Sequence, residues 1–117
     1  MVLIQYILLR RDLSGVSNWP LGALIAQGCH AATAAIYTYS THADTISYLK
    51  QLDRMHKVVL GVDNAEQLES FASKLKDADI DYYLWVEQPE NISTALATRP
   101  YEKSKIQPHF KELKLLS

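Results

Sequence analysis

"HKVVLGVDNAEQLESFASKLKDAD", His56 to Asp79, decides the fold of this chain. Its first part, His56 to Val62, is a continuous apolar run without polar alternation. Such a run predicts a strand covered on both faces. The second part predicts a helix. Asp63 or Asn64 can cap it, acidic residues fill its first turn, and lysines fill its last. Leu68, Phe71, Ala72 and Leu75 recur at helical spacing and form one buried stripe. A doubly covered strand followed by an amphipathic helix points to an α/β protein.

The rest of the chain extends that unit. "VLIQYILLR" (Val2 to Arg10) has the same character and predicts a first strand. "RDLSGVSNWP" reads as a loop, marked by Ser, Gly, Asn and Pro. From Pro20 to about Tyr39 the pattern is helical, with Pro20 in the first turn and Asn18 as cap. "THADTISYLKQLDRM" (Thr41 to Met55) predicts a second helix with Ile46, Leu49 and Leu52 or Asp53 on one face. "YYLWVEQ" is a third strand and "STALATRP" a fourth. The short "PEN" loop between them allows an antiparallel hairpin, with Pro89 in the turn. "KSKIQPHFKELKLL" (Lys103 to Leu116) predicts a final short helix interrupted or started by Pro108. The order is β-α-α-β-α-β-β-α. It predicts one domain over residues 1–117, a three-layer α/β/α sandwich around a small four-stranded mixed sheet.

Composition narrows the functional classes. The chain has 117 residues, 48% hydrophobic and 21% charged, with a formal net charge of -1. A strongly basic nucleic-acid binder would look different, so any such contact must come from a local patch. Arg10 with Arg11, Arg54 with His56 and Lys57, and the lysines of the tail are such groups, each read first as a solvated face. Cys29 is the single cysteine, so neither an internal disulfide nor a cysteine-based zinc site is available. The four histidines lack paired ligand spacing, and no metal or cofactor is expected. A lone thiol fits a reducing compartment, and the chain is expected to be cytoplasmic. No stretch is long enough to span a bilayer, and the apolar N-terminus lacks a basic leader and a cleavage site. "NIS" at Asn91 to Ser93 matches a glycosylation acceptor, read as chance without a secretory signal.

The helix beginning "PLGALIAQGCHAATAA" carries the polar residues of interest. At about 100° per residue, Leu21, Leu24, Ile25, Gly28, Ala32, Ala35 and Ile36 fall on one side, the expected core stripe. Ala23, Gln27, His30 and Ala34 fall on the other. Gln27 and His30 are one turn apart and can act together. They are either solvent-facing side chains without a task or a polar pair lining a cleft, where a histidine can move a proton near neutral pH. Cys29 points close to the core stripe and is expected to be buried. Trp19 and Trp85 are each either core residues or stacking surfaces.

"LRRDL" (Leu9 to Leu13) followed by "GALIAQGCHAA" (Gly22 to Ala32) resembles type 2 peptidyl-tRNA hydrolases. That family ends its first strand with Arg-x-Asp-Leu, and its first helix carries Gly-Lys-x-x-Ala-Gln-x-x-His-Ala. "KVVLGV" and "AEQLESFASKLKDADID" resemble its second strand and following helix. "WPLGAL" (Trp19 to Leu24) and "LWVEQPEN" (Leu84 to Asn91) are similar to a divergent eukaryotic branch, the peptidyl-tRNA hydrolase domain-containing proteins. The resemblance implies a cofactor-free α/β/α sandwich that cleaves the ester between a peptide and tRNA. It matches Gly22, Ala26, Gln27, His30 and Ala31 to the helix motif, and Arg10 and Asp12 to the strand segment.

Two departures stand out. The motif lysine falls on Ala23. The family's Asp-Ala-Gly-x-Thr-Gln segment becomes "EQPENISTALATRP", with Glu87 in place of the aspartate and Asn91 roughly in place of the threonine. The resemblance therefore implies Glu87, His30 and Gln27 as catalytic residues, with Glu87 orienting or deprotonating water. It implies Arg10, Asn91 and Gly22 as substrate-binding residues, and peptidyl-tRNA or another acylated tRNA as the partner. The alternative is a catalytically impaired member acting as a tRNA- or protein-binding module. A homodimer and a protein partner stay open, and no membrane partner is expected.

Overall fold

A computed structural model describes residues 2–117. Strand β1 (Leu3–Arg10) is the centre of the molecule. It pairs in parallel with β2 (Lys57–Val62) and antiparallel with β4 (Ile92–Thr98). Strand β3 (Tyr82–Glu87) forms the antiparallel hairpin with β4 and lies at the sheet edge. Residues 4–10 of β1 are all buried, as the apolar run predicts. Its one interior polar residue, Gln5, is satisfied by donating to the carbonyls of Ala32 (3.1 Å) and Thr98 (3.0 Å).

The sheet has six strands where four were expected. The additions are two-residue pairings, β5 (Tyr101–Glu102) against β1 and β6 (Lys114–Leu115) against β2. Segments this short carry no readable alternation. Strand β6 takes the end of the expected last helix, which is reduced to α5 (Lys103–Ile106) and a 3-10 turn (Gln107–Phe110) started by Pro108.

Helices cover both faces. Between β1 and β2 run a one-turn α1 (Asp12–Gly15), the long α2 (Leu21–Thr38) and α3 (Ala43–Leu49). Helix α4 (Ala65–Asp77) follows β2 and packs on the opposite face. Its sequence reading holds residue for residue: Leu68, Phe71, Ala72 and Leu75 are its buried side chains. Asn64 caps it by accepting from the Gln67 amide at 2.9 Å, and the Gln67 side chain accepts back from the Asp63 amide.

Three local expectations fail. Asn18 does not cap α2. It sits in a left-handed turn (φ 56°), and Pro20 supplies the carbonyl that accepts from Ala23 and Leu24. Helix α3 stops at Leu49, and a separate 3-10 turn spans Leu52–Arg54. Its buried side chains are Thr45 and Tyr48, while Ile46, Leu49 and Leu52 are exposed. Tyr48 turns inward because its hydroxyl donates to the His56 carbonyl at 2.9 Å, which satisfies the one polar group it buries. Among the described residues no helix is long and apolar enough to cross a membrane.

Candidate functional site

Helix α2 lies on the sheet rotated from the orientation that its apolar pattern suggests. Its buried positions are Leu24, Gln27, Gly28, Ala31, Ala32 and Ala35. Leu21 and Ile25, expected in the core, are 70% and 54% exposed, whereas Gln27, expected on the outer side, is 2% exposed. The small residues Gly28, Ala31, Ala32 and Ala35 let the helix approach the sheet closely. That approach presses Gln27 onto the β3–β4 hairpin.

A bulge in that hairpin completes the site. Trp85 pairs with Ala95 and Val86 with Ser93, so Thr94 has no partner on β3. An unpaired residue of this kind re-aims side chains. Thr94 turns to the α2 face and donates to Gln27 Oε1 at 2.8 Å. Ser93 turns to the other face and donates to Glu69 of α4 at 2.9 Å. On β3, Tyr83, Trp85 and Glu87 share the α2 face, as alternate residues of a strand do.

Glu87 is the centre of this group. Its Oε2 accepts from Gln27 Nε2 at 3.1 Å and its Oε1 from Trp85 Nε1 at 3.0 Å. The hydrogen bonds from Trp85 and then Gln27 hold the carboxyl below its ordinary range, with nearby His30 acting in the same direction. His30 stacks on Trp85 with ring centroids 4.7 Å apart. Helix α2 and strand β3 thus bring Gln27, His30 and Glu87 together, the three residues to which the resemblance assigns catalysis. The Gln27 amide is fully engaged: it also donates to the Ala23 carbonyl at 3.3 Å, one turn back. Ala23 therefore borders the site.

The other three assigned residues are placed differently. Arg10 is buried and committed. It forms a two-point ion pair with Asp12 (3.0 and 2.8 Å) and donates to the Ser93 carbonyl at 2.9 Å. Asn91 occupies the hairpin turn in a left-handed conformation (φ 58°), its amide donating to the Glu87 carbonyl at 2.7 Å. Its side-chain oxygen accepts from Gln88. Gly22 is exposed, with open space where a side chain would stand. Trp19 packs against the core on the α2 side. Cys29, expected buried, is exposed, because α2 leaves the β2 side of the sheet uncovered.

Residues 3–116 match the family model described as "Peptidyl-tRNA hydrolase PTH2". The chain belongs to this family. A human protein named "Putative peptidyl-tRNA hydrolase PTRHD1" is 49% identical over 115 residues, covering 97% of this chain and 82% of the human one. The mouse protein of the same name is 47% identical over the same coverage. The resemblance sets Asn91 roughly at the family's threonine; the hydroxyl that meets Gln27 in this PTH2 member belongs to Thr94. Strict alternation from Ala95 would send Thr94 to the α4 face, and only the bulge reverses that. Trp85 was legible: it is two residues before Glu87 on a strand, which places both on one face.

Proposed function

We propose that this chain hydrolyses the ester joining a peptidyl or N-acyl-aminoacyl group to tRNA. The observation that carries this reading is a carboxylate held by two donors beside an imidazole that has no hydrogen-bond partner among the described residues. Each Glu87 oxygen accepts one bond and keeps a second lone pair. The carboxylate can therefore orient a water toward the ester carbon while Gln27 and Trp85 fix its direction. Gln27 acts as a positioning residue here, since both its amide protons are engaged. His30 is the group able to donate to the developing oxyanion or pass a proton to the leaving ribose oxygen. Gln27 in turn depends on Thr94, so the aim of Glu87 is set by the bulge.

One observation favours a second reading, a tRNA-binding module without turnover. The resemblance puts the family's lysine at Ala23, and the guanidinium of Arg10 is already neutralised by Asp12. Peptide release from purified peptidyl-tRNA decides between them. Glu87→Gln should lower the rate about a hundredfold or more, the scale of a lost general base, and His30→Ala should lower it less. Ala23→Lys should raise it. Rates untouched by Glu87→Gln and His30→Ala would remove the assignment. Binding of tRNA with no release at any protein concentration would establish the module.

A further inference from the structure

Helix α2 has a second flank. Opposite the Glu87 site it overhangs the β2 side of the sheet and leaves a groove of about 640 Å³. The floor is Ile7, Leu9 and Val59, and the helix wall includes Ile25, Gly28 and Ile36. That volume lies within the range of roughly 300–1,000 Å³ typical of small-molecule cavities. The groove follows the strands from the Gln5–Lys57 pair to the Leu9–Gly61 pair. At about 3.3 Å per residue this is roughly 13 Å, the length of an extended medium-length alkyl chain.

The two ends differ in charge. At one end the Lys57 ammonium meets only neutral acceptors, Gln5 Oε1 and the Tyr48 hydroxyl at 3.3 Å. No carboxylate lies within ion-pair distance of it among the described residues, and partial desolvation of the ammonium pulls its pKa below the usual lysine range. At the other end Arg11 is packed so closely over Gly61 that a side chain there would collide with the guanidinium. Arg11 is already paired with Asp63 at 3.4 Å, and Leu116 closes the same end. The groove thus offers an apolar channel with one uncompensated cation at its open end.

We propose that this groove binds a single-chain amphiphile with a carboxylate head, a medium-chain fatty acid or acyl acid. The alkyl chain lies between α2 and the sheet, and the carboxylate pairs with Lys57. The chain length follows from the groove and the head-group charge from the unpaired lysine. This site is independent of the Glu87 site on the other flank of the helix.

Cys29 supplies the reporter. It is exposed, lines the groove, and is the chain's single cysteine. The rate of its alkylation by N-ethylmaleimide should fall at least tenfold with saturating decanoate below its micellar concentration. Decanol, equal in length but uncharged, should need at least tenfold more ligand for the same protection. Lys57→Met should abolish that difference. Met55→Glu, at an exposed position on the lip, should weaken decanoate and spare decanol, which keeps the test sound if Lys57→Met misfolds. Three results would overturn the proposal: no protection by either ligand, equal protection by both in the wild type, or protection without ligand that rises with protein concentration alongside dimerisation, which would assign the groove to a second copy.

Discussion

The two faces of the central sheet are built from different materials. On the α4 face, Leu68, Phe71 and Leu75 pack on Tyr6, Leu8, Leu60, Leu96 and Phe110. The layer is filled by bulk, and Phe110 stacks on both Tyr6 (4.8 Å) and Phe71 (6.1 Å). On the α2 face, Ala31, Ala32 and Ala35 meet Ala95 and Ala97, and three polar side chains are fully buried: Gln5, Gln27 and Thr94. That layer is filled by close backbone approach, and its polar groups are held by specific bonds: Thr94 donates to Gln27, and Gln5 donates to the carbonyls of Ala32 and Thr98. The first face holds the fold. The second holds the site, because close approach of α2 brings Gln27 within hydrogen-bond reach of Thr94 and Glu87.

The contrast breaks most easily at Phe71. Phe71→Ala removes a buried ring at the centre of the bulky layer, where loss of an aromatic side chain costs about 3–5 kcal/mol. Urea unfolding should show that loss, while the protein still folded should keep its peptide-release rate. A matching fall in that rate would mean that the two faces are not separable.

Thr94→Val tests the other layer. The swap keeps the shape and removes the donor to Gln27 Oε1, leaving a buried acceptor unpaired at a cost of about 1–3 kcal/mol. Its stability cost should be smaller than that of Phe71→Ala, and its catalytic cost larger, because Gln27 would lose the bond that fixes its hold on Glu87. Unchanged release in Thr94→Val, measured beside Thr94→Ser, would show that the bulge does not aim the site.

The same contrast explains what was legible in the sequence. Apolar periodicity reports burial by bulk, so α4 could be read position by position. It reports α2 poorly, since Gln27 is buried by hydrogen bonds that the pattern does not contain, and Leu21 and Ile25 stay outside. The strands β1 to β4 were legible as runs of apolar residues, but β5 and β6 are too short to leave a pattern. Gln27, His30 and Glu87 were reached through the family motif, and Trp85 was within reach of strand alternation. Thr94 was not, because a bulge is a property of two paired strands and neither strand alone announces it.

The smallest predicted effect isolates one bond of the polar layer. Trp85→Phe keeps a ring beneath His30 and deletes the indole donor to Glu87 Oε1, the largest cause of that carboxyl's lowered pKa. The Glu87 pKa should then move up toward its ordinary value of 4.5, as followed by carboxyl-carbon NMR titration. The sign for stability follows from linkage. A carboxyl with a folded-state pKa below its unfolded value contributes stability above the unfolded value and loses it as pH falls through the folded one. In Trp85→Phe that contribution shrinks, and its loss on acidification, which still begins at the unfolded value, should be complete at a higher pH. The acid limb of peptide release should shift upward with it, since the ionised carboxylate is the form that orients water. Phe71→Ala should leave both the titration and the limb in place. If Trp85→Phe moves neither, the indole holds the ring stack and not the charge, and the lowered Glu87 pKa would rest on Gln27 with nearby His30.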